Sequence, residues 1–294
     1  MKRLFCMAAA VLLLTCALAC EPTPPVTAKP EPTATVTFAP SAAPTETPTK
    51  EPTAAPTPTA TTTPTMEPTP QPITAARLDA GEFDGFFDDA LFVGDSMTRV
   101  FGNFIQAQRA RNGACLGTAQ FMGEVSMTVR IASTDDAVFT YRGKKTSLTA
   151  AITKRGVQKV FLMLGGNDIG HRDWDAVLAD YGKMIDNIKT ACRDVMIIVQ
   201  GVHPGTKRFC ENRQIDIAHW NRFNEALAAF CETNGVAFYS FAEELMDEQG
   251  YLRDAYASGD FHFSDEGNAI WLRAARIYAA RQCEPDAALD LSEP

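Results

Sequence analysis

The chain has 294 residues, of which 46% are hydrophobic and 21% charged, and a formal net charge of −9. That acidic balance argues against a nucleic-acid groove, and no basic stripe overrides it. No internal repeat is visible, and the eight cysteines do not fall at zinc-site spacings.

Lys2 and Arg3 precede an apolar run from Leu4 to Leu14, and Ala17-Leu18-Ala19-Cys20 follows. A charged start, a short apolar core and a small-residue cleavage site read as an export signal over residues 1–19. The run is too short for a membrane span, which needs roughly 20 apolar residues. Leu18-Ala19-Cys20 resembles a bacterial lipobox, with Ala17 where leucine is usual. The resemblance implies a lipid on Cys20 and attachment to the outer face of the cytoplasmic membrane. Ala17-x-Ala19 also suits ordinary signal peptidase, which would leave a secreted protein.

Residues 20–75 are dominated by Pro, Thr, Ala and Glu. Fifteen of the eighteen prolines lie between Pro22 and Pro72, so this segment has too little to bury to repay its ordering entropy. It is expected to be a disordered stalk, reaching on the order of 170 Å at ~3.1 Å per residue. Residues 76–294 suit one domain with a full core. Five cysteines fall within it (Cys115, Cys192, Cys210, Cys231 and Cys283), an odd number that predicts buried thiols and at most two disulfides.

Within the domain, Ala90–Val93 predicts a buried strand, followed by a helix from Met97 to Arg109. Residues 114–122 predict a second strand, and 137–148 a hairpin turning at Tyr141-Arg142-Gly143-Lys144. Val157–Leu164 is the strongest buried strand and ends at Gly165-Gly166. Trp174, Val177, Leu178, Tyr181, Ile185 and Ile188 recur at helical spacing. A strand over 195–200, a helix over 216–233, a strand over 236–239 and a helix capped by Asp265 complete the domain. Alternating strands and helices imply an α/β fold of three layers, with a mostly parallel five-stranded sheet. Sites in such sheets form outside the carboxyl ends of the strands, which singles out Ser96, Gly123, Asn167 and His203.

Ser96 stands where the first strand turns into a helix. It reads either as a nucleophile or as the helix N-cap. A nucleophilic serine needs an imidazole to take its proton, and the chain has only four histidines. His219 lies within a helix, and His171 and His203 sit at strand ends. His262 lies in a loop just before the last helix, with Asp260 two residues away to hold its tautomer. Asn167 can donate to a developing oxyanion, a contribution of ~3 kcal/mol to the barrier.

Gly94-Asp95-Ser96, Gly165-x-Asn167-Asp168 and the late Asp/His pair, in that order over residues 88–282, resemble the SGNH (GDSL-type) hydrolase family. The resemblance implies a flavodoxin-like fold and esterase chemistry without a metal or other cofactor. Carried over by position, Ser96 is the nucleophile and a backbone oxyanion donor, Asn167 is a side-chain donor and His262 is the base. Gly123 supplies a second backbone donor, with Gly117 as the alternative. The family writes its last block Asp-x-x-His, but Gly259 stands three residues before His262. Asp260 is the expected third member, Asp254 a remote substitute, and a Ser-His pair supported by a main-chain carbonyl the other possibility.

These features predict an exported serine esterase removing acyl groups, acetyl above all, from small-molecule or polysaccharide esters. Acyl transfer uses the same machinery. A wall-tethered scaffold that has lost the chemistry is the competing reading, and the displaced Asp260 is its support. A metallo-phosphoesterase ranks last, for want of a His/Asp ligand cluster.

Overall fold

The computed structural model describes residues 70–292. The export signal, Cys20 and nearly all of the Pro-rich segment lie outside the described residues. Five strands form one parallel sheet: β1 (Ala90–Gly94), β2 (Gln120–Gly123), β3 (Lys159–Met163), β4 (Met196–Gln200) and β5 (Ala237–Tyr239). Their spatial order is β2-β1-β3-β4-β5. The expected three-layer α/β architecture is present.

The alternation of side chains along each strand divides the core in two. Leu91, Val93, Val160, Leu162 and Val199 face one side. Helices α2 (Trp174–Ala191) and α4 (Ile217–Thr233) cover that side with Tyr181, Ile185, Trp220 and Phe223. Phe92, Phe161 and Ile198 face the other side, under α1 (Ser96–Asn112) and α5 (Asp265–Cys283). Phe92 stacks on Phe161 at 4.5 Å, and Phe101 of α1 on Trp271 of α5 at 4.1 Å. With both faces covered, β1 is buried at every position.

Four local expectations are revised. Residues 114–119 form a loop rather than the start of β2, because Leu116 and Gly117 adopt left-handed backbone (φ 49° and 48°). Arg109 holds that loop through the carbonyls of Cys115, Leu116 and Ala119. Ser264, not Asp265, caps α5, its hydroxyl accepting the Gly267 N–H. A helix that periodicity did not reveal, α3 (Lys207–Arg213), follows β4 and is capped by Thr206. Ile73, assigned by composition to the stalk, is fully buried and pairs with Leu289. The hairpin forms as expected from Phe139–Tyr141 and Lys144–Thr146. All five cysteines of the domain are free thiols, three of them buried.

Candidate active site

The loops that leave β1, β2, β3 and β4 converge at the carboxyl edge of the sheet. The β1 loop is very short. Asp95, in extended backbone, caps α1 through Oδ1, which accepts the Met97 N–H at 2.8 Å. Ser96 is therefore the first helical residue and not the cap. Its N–H belongs to the opening turn of a 17-residue helix, where amides lack intrahelical acceptors and the dipole is positive.

His262 reaches Ser96 from the other end of the sequence. It lies in a two-residue strand paired with Ala257–Ser258, directly before α5. That short ladder and the Ser264 N–H bond to the Tyr256 carbonyl (2.9 Å) fix its backbone. His262 Nε2 lies 2.9 Å from Ser96 Oγ, across 166 residues of chain. Burial lowers its pKa from 6.5, and the nearby Arg99 guanidinium lowers it further. Both causes favour the neutral imidazole, the form that accepts a proton.

The β3 loop places Asn167. Gly165 turns the chain at φ 118°, a conformation that strongly favours glycine. The fully buried Asp168 then ties the loop down. Its carboxylate accepts the Val129 N–H at 2.8 Å and pairs with Arg172 at 2.9 Å. Asn167 Nδ2 donates to Asp95 Oδ2 (2.9 Å) and to the Met127 carbonyl (3.0 Å). Both amide hydrogens are thus engaged, so a developing oxyanion would have to share one. Burial pushes the Asp95 carboxyl up to about 7; the charge of Asp168 adds to this and the Met97 N–H opposes it. A partly protonated Asp95 is a weaker acceptor, which leaves Asn167 freer to donate elsewhere.

Gly123 ends β2 opposite Gly94. A Cβ there would meet Arg99 N at 2.4 Å and Asp95 O at 2.5 Å, so only glycine lets this strand end approach the start of α1. Gly117 instead packs against Asp84 and Asp88, just before β1 and hence at the amino edge of the sheet. Of the two glycines, Gly123 is the one beside Ser96.

Asp260 does not meet His262. Its carboxylate Oδ1 accepts the Arg208 Nε–H at 2.5 Å, and its carbonyl accepts from Thr206. No carboxylate contributes to the shift of His262. The reason is tertiary: α3 brings Arg208 to the outer side of the loop, where a guanidinium captures the acid. Asp254 is exposed and starts a 3-10 turn.

Ser96, His262 and Asn167 share a cavity of about 260 Å³. Its walls come from Val125 and Ser126 after β2, His171 after β3, Phe209 and Arg213 of α3, Ile215, Trp220 and Phe261. Phe209 and Arg213 escaped sequence reading because a seven-residue helix has almost no periodicity; the Thr206 cap after Pro204-Gly205 was the one available signal. His203, a candidate wall residue, lies behind the cavity. It is buried between Phe261 and Phe263 (ring centroids at 4.5 and 4.7 Å), and its Nδ1 is 2.8 Å from the Pro204 carbonyl. Burial lowers its pKa to about 4, so it stays neutral. His219 stacks on Trp174 at 4.2 Å. Among the described residues, no cluster of three or more His, Cys, Asp or Glu side chains could hold a metal ion.

The model of the GDSL-like Lipase/Acylhydrolase family matches residues 92–270. Among solved structures, the chain is similar to a candidate acylhydrolase from Bacteroides fragilis, with 15% identity, a TM-score of 0.52 and coverage of 73% of this chain and 91% of that one. It is also similar to a GDSL-like lipase from Bacteroides thetaiotaomicron, with 14% identity, a TM-score of 0.51 and coverage of 70% and 98%. No curated protein matches the chain.

Proposed function

The chain belongs to the GDSL-like lipase/acylhydrolase family, and on that premise we propose that it is an exported serine esterase that removes short acyl groups from carbohydrate-borne esters through Ser96 and His262. The observation that carries the reading is the 2.9 Å contact between Ser96 Oγ and His262 Nε2 at the floor of the cavity.

Ser96 Oγ attacks the ester carbonyl while His262 Nε2 takes its proton. Negative charge gathers on the former carbonyl oxygen, facing the Ser96 and Gly123 N–H groups and the Asn167 amide. Collapse of the tetrahedral intermediate expels the alcohol, protonated by His262. Water, activated by the same imidazole, then releases the acid and restores Ser96. With Asp260 held by Arg208, no carboxylate among the described residues steadies the imidazolium, so the machinery is a Ser-His pair.

A short acyl group suits the small aromatic cavity. The proposed cell-envelope location rests on the Leu18-Ala19-Cys20 sequence.

A fluorophosphonate probe tests the chemistry: it should modify Ser96 and leave Ser96→Ala untouched. Hydrolysis of p-nitrophenyl esters should fall steeply as the acyl chain grows beyond a few carbons. A folded protein that ignores both reagents would refute the reading. The mature N-terminal mass decides between a lipid on Cys20 and plain secretion.

A further inference from the structure

The cavity differs in charge from the molecule around it. The chain carries a net charge of −9, yet among the described residues no Asp or Glu side chain lines the cavity, and the one permanently charged side chain that does is Arg213. Of the other arginines nearby, Arg172 binds Asp168 and Asp180 and Arg208 binds Asp260, while Arg99 acts on His262 but does not line the cavity. Arg213 has no carboxylate within ion-pair reach among the described residues. Its guanidinium lies over the Phe209 ring, 4.8 Å from the centroid. A cation–π contact of this kind leaves guanidinium N–H groups available to a carboxylate or phosphate.

A second hollow adjoins the cavity. Gly170, His171 and Ile215 line both the cavity and this hollow of about 380 Å³. That hollow is walled by Arg172, Gln214, Asp216 and His219, and the one carboxylate, Asp216, already accepts the Ala218 N–H at 3.0 Å. The aromatic walls of the cavity suit an acyl group, while the polar hollow beside it suits the alcohol that carries it.

We propose that the ester cleaved at Ser96 is borne on an alcohol carrying an anionic group, a carboxylate or a phosphate, which Arg213 receives at the cavity rim. The inference rests on the esterase reading and narrows it to acylated anionic carbohydrates or polyols. Because Arg213 is exposed, the gain is that of a screened charged hydrogen bond, roughly five- to twentyfold in kcat/KM.

Two matched pairs of acetyl esters test it: acetylated methyl glucuronide against acetylated methyl glucoside, and acetylated glycerol phosphate against acetylated glycerol. The anionic member of at least one pair should be favoured by roughly five- to twentyfold, through KM more than kcat, and the favoured pair identifies the group as carboxylate or phosphate. The preference should shrink in about 0.5 M salt, fall to near unity in Arg213→Gln, be partly restored in Arg213→Lys and reverse in Arg213→Glu. Equal rates within both pairs, or a preference that survives Arg213→Gln, would overturn the inference while leaving the esterase intact. No turnover of any ester, with no labelling of Ser96, would instead bring down the reading beneath it.

Discussion

At the amino edge of the sheet, Asp84 receives both Nε–H and Nη2–H of Arg276 at 2.8 Å and the Leu116 N–H at 2.9 Å. Arg77 there is shared between Glu82 and Glu284. At the carboxyl edge, Asp95 is buried without a cation in reach, His262 has no carboxylate, and Arg213 has no acid among the described residues. At the first end these charges are matched; at the second, beside the Asp168–Arg172 and Asp260–Arg208 pairs, three groups of the site are left without an opposite charge among the described residues. Charges that cancel inside the protein are spent on holding it together, whereas groups left short of partners keep the capacity to act on something else.

The contrast can be broken from either side. Ser96→Ala should lower kcat toward p-nitrophenyl acetate by about 10⁴- to 10⁶-fold, as should His262→Ala, with the thermal midpoint nearly unmoved. A large loss of stability in these variants would mean that the carboxyl edge also holds the fold together. Asp84→Ala should do the reverse. It leaves Arg276 largely buried and uncompensated at a cost of about 3–5 kcal/mol, read by urea denaturation, while turnover per folded molecule is retained.

Smaller effects sharpen the picture around His262. Asp260→Asn should cost less than about tenfold in kcat, because the carboxylate faces Arg208. A loss near 10⁴-fold, of the size seen when a triad acid is replaced, would show that Asp260 turns to the imidazole during turnover. Protonation of His262 removes the base, so kcat/KM should fall on the acid side with a midpoint below 6.5, the direction in which burial and Arg99 move this group. Arg99→Gln removes the second cause and should raise that midpoint. A midpoint above 6.5 in the wild type would point to a carboxylate on the imidazole after all.

Much of this was legible in the chain. Strand–helix alternation predicted the parallel sheet, and the turns after β1 and β3 marked Ser96 and Asn167, because a tight turn at a strand end is written in a few adjacent residues. The choice between Gly117 and Gly123 was not legible, since it depends on where β2 begins. The left-handed backbone at Leu116 and Gly117, held by Arg109, delays that start to Gln120. Arg208 and Arg213 were equally hidden, because α3 is too short to show a period and its effect lies in what it touches.

The sequence by itself determined the order of elements and the two-sided burial of the sheet, and it singled out the serine and the imidazole that the fold brings within 2.9 Å. Hydrophobic period and turn chemistry act over a few residues and need no knowledge of distant partners. Only the tertiary structure decided that Asp260 belongs to Arg208, that Asp95 caps α1 and also holds Asn167, and that Arg213 stands alone at the rim. Pairing between charges depends on distance in space, and α3 reaches Asp260 across 52 residues of chain.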